Sequence, residues 1–378
     1  MAPLGHGSGP SATLAYLDLT SSDPVARGTE HGRSLKPQIV RNVETCYRRL
    51  ANTGVDRPAA RERAAGWLKI AERSNPTYCR EMAAVAAAAG LHLLDLATLN
   101  FRFELLFPLL ARRLASQDEV GGRDGCTSFG LRRTSGGASE VVIGQTLDGI
   151  EAIAGNLAVI RSVAPNGGTM LGLHEAGSVG PSVGLNSNGI GVVYNTLMTR
   201  DCIRPAAGAP FRLRTLQILQ SQTYAQALAA ALHVPRPTST HLLLGHRDGE
   251  IVGLELTSTK AAYLHPEDGI VTHANHFERC SDVTSLFERM LPSSLFRGAR
   301  LRRLLSPCER ADDRAIELAL SDHFSYPSSI CQHAAETAPP DRRGVTLAGI
   351  VINLSAGTMA VANGTPCCNK FEKFHLNT

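Results

Sequence analysis

The residues best suited to chemistry lie in Arg123-Asp124-Gly125-Cys126-Thr127-Ser128, where helical texture gives way to strand-like texture. Cysteine is the most reactive side-chain nucleophile near neutral pH, because a few per cent is already thiolate. Gly125 carries no Cβ, so the backbone can bend there and a thiol can reach the preceding carbonyl. Taken alone this is a weak signal, since a cysteine beside glycine is usually a small buried hydrophobe. Metal chemistry has less support. His241/His246 and His273/His276 are the nearest pairs, but neither sits in an HExxH pattern. No CxxC pair exists, and adjacent Cys367-Cys368 cannot form an ordinary metal clip. No metal and no cofactor are expected. The chain also lacks a GxxxxGK[ST] phosphate loop, which argues against nucleotide hydrolysis.

These groups need elements to position them. From Gly32 to about Phe107 the pattern is helical, with Ile39, Val43, Cys46, Tyr47 and Leu50 recurring every three or four residues. Further helices are expected over 59–71, after Asn75-Pro76, and over 93–106. Gly121-Gly122-Arg123-Asp124-Gly125 is a break. Short strands follow at 127–133, 141–147, 157–163 and 170–174. Asn186-Ser187-Asn188-Gly189 predicts a hairpin turn between 182–185 and 190–196. A helical stretch over 211–233 precedes a hairpin at 241–256 and strands at 261–264 and 270–273. Helices are expected at 283–291, 295–305 and 311–320, then a closing hairpin over 345–361. Helices, strands, a helical pair, strands, helices and strands in that order suit an α+β fold: two stacked sheets with helices outside, a four-layer αββα sandwich.

Composition agrees with a folded chain. Hydrophobic residues are 43% and charged residues 19% of the 378. A chain of this length buries a large core without disulfides. The net charge of +4 is mild and the Arg pairs are scattered, so no nucleic-acid partner is expected. The most apolar run, Met82 to Leu91, is half the roughly 20 residues needed to cross a membrane. The N-terminal stretch lacks the basic and apolar regions of a signal peptide. Nine irregularly spaced cysteines then read as thiols in a reducing compartment, which predicts a cytoplasmic protein.

The Asp-Gly-Cys-Thr-Ser junction resembles the self-cleavage site of the isopenicillin N acyltransferase (acyl-coenzyme A:6-aminopenicillanic acid acyltransferase) family. This family is a branch of the N-terminal-nucleophile hydrolases, related to penicillin V acylases and bile salt hydrolases. Further motifs match in order: Gly144-Gln145-Thr146-Leu147-Asp148; Glu175-Ala176-Gly177; Gly184 to Gly189; Val193-Tyr194-Asn195-Thr196-Leu197; Gly253-Leu254-Glu255-Leu256-Thr257; Thr272-His273-Ala274-Asn275-His276; Tyr326-Pro327-Ser328-Ser329-Ile330-Cys331; and Gly344-Val345-Thr346-Leu347. Jointly they cover about Glu30 to Gly364.

The resemblance implies a chain cut between Gly125 and Cys126. Residues 1–125 and 126–378 would remain associated as one structural domain, the first segment being a partner of the second. Cys126 would be the nucleophile, and its freed α-amine the attached base. Asp148 would orient that amine by a charge-assisted bond. Asn275 would donate its side-chain NH2 to the oxyanion, and Asn195 would supply a second donor through its backbone N–H. Asp124, Thr127, Tyr194, Thr257, His273 and Ser329 are implied as supporting residues. The substrate would be a small-molecule amide or acyl thioester, acyl-coenzyme A among the options. Three positions depart from the pattern: Gln332 stands where relatives often carry Arg, Thr257 replaces a Ser, and Leu147 replaces an aromatic before Asp148. The competing readings are a non-catalytic binding relative of the same fold and a His-based metal hydrolase.

Overall fold

The computed structural model describes residues 13–116, 125–307, 309, 311–334 and 343–377. Six helices fill most of the first third: α1 (Pro24–Ser34), α2 (Lys36–Ala51), α3 (Arg57–Ser74), α4 (Pro76–Ala89), α5 (Leu93–Asn100) and α6 (Arg102–Ala115). Their starts follow local chemistry. Asp23, Asp56 and Asn75 each accept a backbone N–H from the first turn, with proline at N1 or N2. α1 packs closely on Ala-rich α4: a Cβ on Gly28 or Gly32 would lie 2.4 or 2.5 Å from an α4 carbonyl. The helix expected over 93–106 is two helices, parted at Phe101.

The strands are β1 (Ala15–Leu19), β2 (Cys126–Ser135), β3 (Ala138–Ile150), β4 (Leu157–Val163), β5 (Thr169–Glu175), β6 (Val183–Asn186), β7 (Ile190–Thr196), β8 (Thr240–His246), β9 (Ile251–Leu256), β10 (Ala261–Leu264), β11 (Ile270–His273), β12 (Gly344–Asn353), β13 (Thr358–Asn363) and β14 (Phe371–His375). They form an eight-stranded sheet, β1-β4-β5-β6-β7-β8-β9-β10, and a six-stranded sheet, β11-β2-β3-β12-β13-β14. β2 and β3 of the second sheet face β7 and β8 of the first. Every residue of β7 and β9 is buried, as expected of strands covered on both faces.

The later helices are α7 (Phe211–Leu219), α8 (Tyr224–Leu232), α9 (Phe287–Met290), α10 (Ser294–Leu304) and α11 (Asp313–Leu320). α7 and α8 lie on β6, β7 and β8, whereas α10 and α11 lie on β2, β11 and β12. Helix, sheet, sheet, helix is therefore the layer order, and the αββα expectation holds. Three local expectations change. β10 and β11 do not continue one sheet but part into different ones. The helix expected over 283–291 shrinks to α9. β14, paired with β13, carried no clear sequence signal. Among the described residues, no helix is long and apolar enough to cross a membrane.

Candidate active site

Strand pairing assembles the site. β2 and β3 are joined by Gly136-Gly137, both with positive φ (57° and 84°), the two-residue turn whose twist suits a hairpin. The register pairs Cys126 with Leu147, which returns Asp148 opposite Gly125. The Asp148 N–H donates to the Gly125 carbonyl at 2.9 Å. On the other flank β11 pairs His273 with Ser128. Two residues further on, Asn275 lies beside Cys126, and the Cys126 N–H donates to Asn275 Oδ1 at 3.0 Å. A Cβ at position 125 would crowd Leu291 Cδ2 at 2.6 Å and Asn275 Oδ1 at 3.2 Å, so glycine fits there without displacing either. Asp124 lies outside the described residues.

Asn275 is fully buried and its amide orientation follows from its neighbours. Oδ1 accepts from Cys126 N–H and from Arg297 at 2.7 Å, while Nδ2 donates to the Thr196 carbonyl at 2.9 Å. Exchanging the two ends would set donor against donor at Cys126 and Arg297 and acceptor against acceptor at Thr196. Nδ2 carries two hydrogens, so the bond to Thr196 leaves a second donor on the same nitrogen.

Arg297 is the buried residue of this cluster that the sequence reading missed. It is fully buried on α10 and donates to the Cys126 carbonyl at 2.8 Å and to Thr127 Oγ1 at 2.6 Å. Its Nη1 is 3.9 Å from Asp148 Oδ2. Burial lowers the Arg297 pKa, and the Asp148 and Cys126 charges oppose that shift. One signal was available: Ser294, Arg297, Gly298 and Leu301 are spaced as one helical face, and all are buried. An arginine on such a stripe needs a partner.

Asp148 is buried and accepts from Thr346 Oγ1 at 2.7 Å. Thr346 in turn accepts from the Gln332 N–H at 2.8 Å. The position where relatives often carry Arg is thus one residue from the carboxylate. Thr346 and Arg297 are the side chains that lie against the Asp148 carboxylate.

Asn195 differs from expectation. Its Oδ1 accepts from Ser128 Oγ at 2.5 Å and lies 2.9 Å from His241 Nδ1. Its main chain faces away from the nucleophile as well. The Tyr194 N–H donates to Gln145 Oε1, and the Thr196 carbonyl accepts from Asn275. Both leave β7 on the side away from β8. Alternation along an antiparallel strand turns the intervening Asn195 N–H toward β8. The neighbouring Thr196 N–H points to the side of Asn275.

The remaining supporting residues divide. Thr127 belongs to the Arg297 network. Tyr194 lines the cleft and packs against Phe103 and Phe211, at 6.3 and 4.8 Å between ring centroids. His273 holds its loop, as expected of a support: it contacts Glu255 Oε1 at 2.9 Å and stacks on His241 at 3.8 Å. Glu255, buried and not singled out from sequence, also accepts from the backbone of Glu278, Arg279 and Cys280. Thr257 makes its bonds with Arg236 and Lys260 and does not line the cleft. Ser329 donates to the Cys331 carbonyl at 2.6 Å, within its own loop. The rival metal pairs do not converge. His241 lies on His273, and His246 bonds the Asn188 carbonyl.

Cys126, Asp148 and Thr196 line a narrow cleft. Phe103, Leu106, Phe107, Leu147 and Ile153 give it an apolar side. Arg102 and Arg212 both pair with Glu175 on the opposite side. Burial brings Arg102 down to about 9, aided by Arg212, and pushes nearby Glu104 up to about 7. Glu104 accepts from the Phe211 N–H at 2.7 Å. Much of this wall comes from α6, sequence-distant from the β2 nucleophile.

The family model described as acyl-coenzyme A:6-aminopenicillanic acid acyl-transferase matches residues 134–367, well over half of the chain. Among solved structures, a Caenorhabditis elegans N-acylethanolamine-hydrolyzing acid amidase ortholog is 15% identical, over 61% of this chain and 93% of its own, with a TM-score of 0.43. Penicillin V acylase from Agrobacterium tumefaciens is 14% identical, over 63% and 83%, with a TM-score of 0.42. A variant of the conjugated bile acid hydrolase from Clostridium perfringens is 13% identical, over 66% and 97%, with a TM-score of 0.38.

Proposed function

We propose, for a chain that belongs to the acyl-coenzyme A:6-aminopenicillanic acid acyl-transferase family, an amide- or thioester-processing enzyme whose nucleophile is Cys126, made N-terminal by self-cleavage. The observation that carries this reading is the convergence at the Gly125–Cys126 bond. Asp148 holds its carbonyl oxygen, Asn275 holds its nitrogen, and Arg297 holds the next carbonyl.

In the maturation step the Cys126 thiolate attacks the Gly125 carbonyl carbon. The C–N bond breaks, the nitrogen takes a proton and becomes the α-amine, and a thioester forms. Water hydrolyses that thioester, leaving a Gly125 carboxylate and the regenerated thiol. The new amine has an ordinary pKa of about 7.7–8.0, suited to accept the thiol proton. Asn275 Oδ1 is placed to hold it, and Asp148 supplies the nearby negative charge.

In turnover Cys126 attacks the substrate acyl carbon. The second hydrogen of Asn275 Nδ2 and the Thr196 N–H are the donors proposed for the oxyanion; one such donor contributes roughly 3–4 kcal/mol to the barrier. The amine or thiol departs with a proton, and acyl-Cys126 is resolved by water or by an acceptor amine. Phe103, Leu106 and Phe107 favour an apolar acyl group against the cleft wall. Because these residues precede the cut, the released segment must stay bound for the acyl pocket to exist.

The test is acylation followed by partitioning. A thioester donor should leave one acyl group, located on Cys126 by peptide mass mapping. Added amine should divert product from free acid to amide in proportion to its concentration if the acceptor side is built for transfer, since orientation is worth effective molarities of about 10⁵ M and above. Free acid that never declines assigns hydrolysis for that amine. Failure of apolar amides and thioesters alike to acylate Cys126 removes the reading.

A further inference from the structure

A second group of sulfur and nitrogen atoms lies apart from the cleft. His323, Cys331, His333 and Cys367 converge so that one ligand atom of each lies within 4.8 Å of the others. His333 Nε2 is 3.0 Å from His323 Nε2, 3.6 Å from Cys331 Sγ and 3.4 Å from Cys367 Sγ. A tetrahedral zinc ion with Zn–S near 2.3 Å and Zn–N near 2.0–2.1 Å has ligand-to-ligand edges of roughly 3.3 Å for N···N and 3.6 Å for N···S. The observed separations fall close to those edges. All four atoms are lone-pair donors, and the group contains neither a carboxylate nor a cation.

From this geometry we propose that the chain binds one Zn²⁺ through His323 Nε2, His333 Nε2, Cys331 Sγ and Cys367 Sγ, as a closed structural site. Four protein ligands leave no open position for substrate or water, which separates such a site from a catalytic zinc. The protein atoms are held in place by bonds of their own. Arg300 grips Asp322 with two bonds of 2.6 Å, and the Asp322 carbonyl accepts from the Cys331 N–H at 3.0 Å. Ser329 holds the Cys331 carbonyl, and the His333 N–H donates to the Pro327 carbonyl at 3.0 Å. Cys331 and His333 are two apart, and the 3.6 Å between Cys331 Sγ and His333 Nε2 shows that their side chains share a side. Cys367 comes from the β13–β14 connection, where the Cys368 N–H closes a turn on Thr365.

The sequence reading set metal aside because Cys367-Cys368 are adjacent and no CxxC exists. The fold supplies the missing partners from 34 to 44 residues upstream. Gln332, between two proposed ligands, exchanges main-chain bonds with Thr346: N–H to Oγ1 at 2.8 Å, and carbonyl from the Thr346 N–H at 3.0 Å. Thr346 holds Asp148. The ion would thus pin the segment that buttresses the carboxylate of the active site, while touching no reacting atom.

Metal content of the reduced, full-length protein tests this without reference to turnover. The expected result is one zinc per chain after purification or zinc loading. Co²⁺ loading should give the thiolate-to-cobalt charge-transfer band and intense ligand-field bands of a tetrahedral site. Cys367→Ser and His333→Gln should each weaken zinc binding, measured by chelator competition, by more than the 10–100-fold typical of losing an outer partner. Cys126→Ala should keep the full zinc and cobalt signals, and far-ultraviolet circular dichroism checks that each variant is folded. Folded, reduced protein that takes up no zinc overturns the proposal. So does uptake unchanged in both Cys367→Ser and His333→Gln, or a cobalt spectrum without thiolate charge transfer. A Cys331–Cys367 disulfide whose reduction yields no zinc uptake overturns it as well.

Discussion

Two regions of the molecule hold thiols of interest, and they differ in what surrounds the cysteines. Around the Cys126 main chain lie two donors, Arg297 on its carbonyl and the Asp148 N–H on the Gly125 carbonyl, with Asn275 Oδ1 accepting from its N–H and the Asp148 carboxylate close by. That is a setting for developing negative charge on a substrate oxygen, with an apolar cleft on the open side. Around Cys331 and Cys367 the neighbours are imidazole nitrogens, each residue offering one ligand atom. That is a setting for a cation. Reactive and ligand cysteines are thus told apart by the polarity of the groups aimed at them rather than by burial, since Cys126 and Cys331 are both buried.

The contrast can be broken by substitution. The largest effect is expected at Asn275, where alanine removes both the anchor for the Cys126 nitrogen and an oxyanion donor. Turnover of mature enzyme should fall roughly 10²–10³-fold. A fall of less than twofold takes Asn275 out of the site. Arg297→Met should follow. Breaking a buried pair on one side costs about 3–5 kcal/mol of stability, so denaturant midpoints should drop and cleavage at Gly125 should slow. Unchanged midpoint and cleavage rate would show that the Cys126 carbonyl and Asp148 do not depend on Arg297.

Glu104 sharpens the comparison from the cleft wall. Its ordinary value of 4.5 is raised to about 7 by burial. The folded chain therefore holds this proton more tightly than the unfolded chain. Its contribution is fully present below pH 4.5 and is lost progressively as pH rises through about 7. Glu104→Gln keeps the acceptor for the Phe211 N–H and should remove that loss. Relative to the parent it should gain up to about 3 kcal/mol between pH 4.5 and pH 8. A pH-independent difference would contradict the burial argument. The smallest effect is expected for Cys367→Ser on maturation: cleavage at Gly125 should stay within about twofold of the parent. A tenfold slowing would mean that the link through Gln332 and Thr346 to Asp148 carries more than indirect support.

How far the sequence carried can be argued residue by residue. Cys126, Asp148 and Asn275 were singled out through the family resemblance, and the fold brings them together because β2 is flanked by β3 and β11. The positions opposite and beside Cys126 were therefore set by short loops such as Gly136-Gly137. Alternation along β7 defeated the expectation for Asn195, since one residue along a strand reverses the direction of an N–H. Arg297 was hidden because an arginine in a helix usually faces water, and only the docking of α10 on β2 and β11 shows otherwise. His323, Cys331, His333 and Cys367 meet through the packing of two connections far apart in sequence, which no spacing rule encodes. The four layers were legible from element order, but the parting of β10 and β11 into different sheets was not.

The central claim is that Cys126 becomes the first residue of its own chain. Intact mass spectrometry of purified wild-type protein and of Cys126→Ala, with N-terminal sequencing of the fragments, tests it most directly. The account predicts two wild-type chains, the larger beginning at Cys126 and its partner ending at Gly125, and one uncut chain for Cys126→Ala. A wild-type chain that stays whole and fully active, or a Cys126→Ala chain that still splits after Gly125, would contradict it.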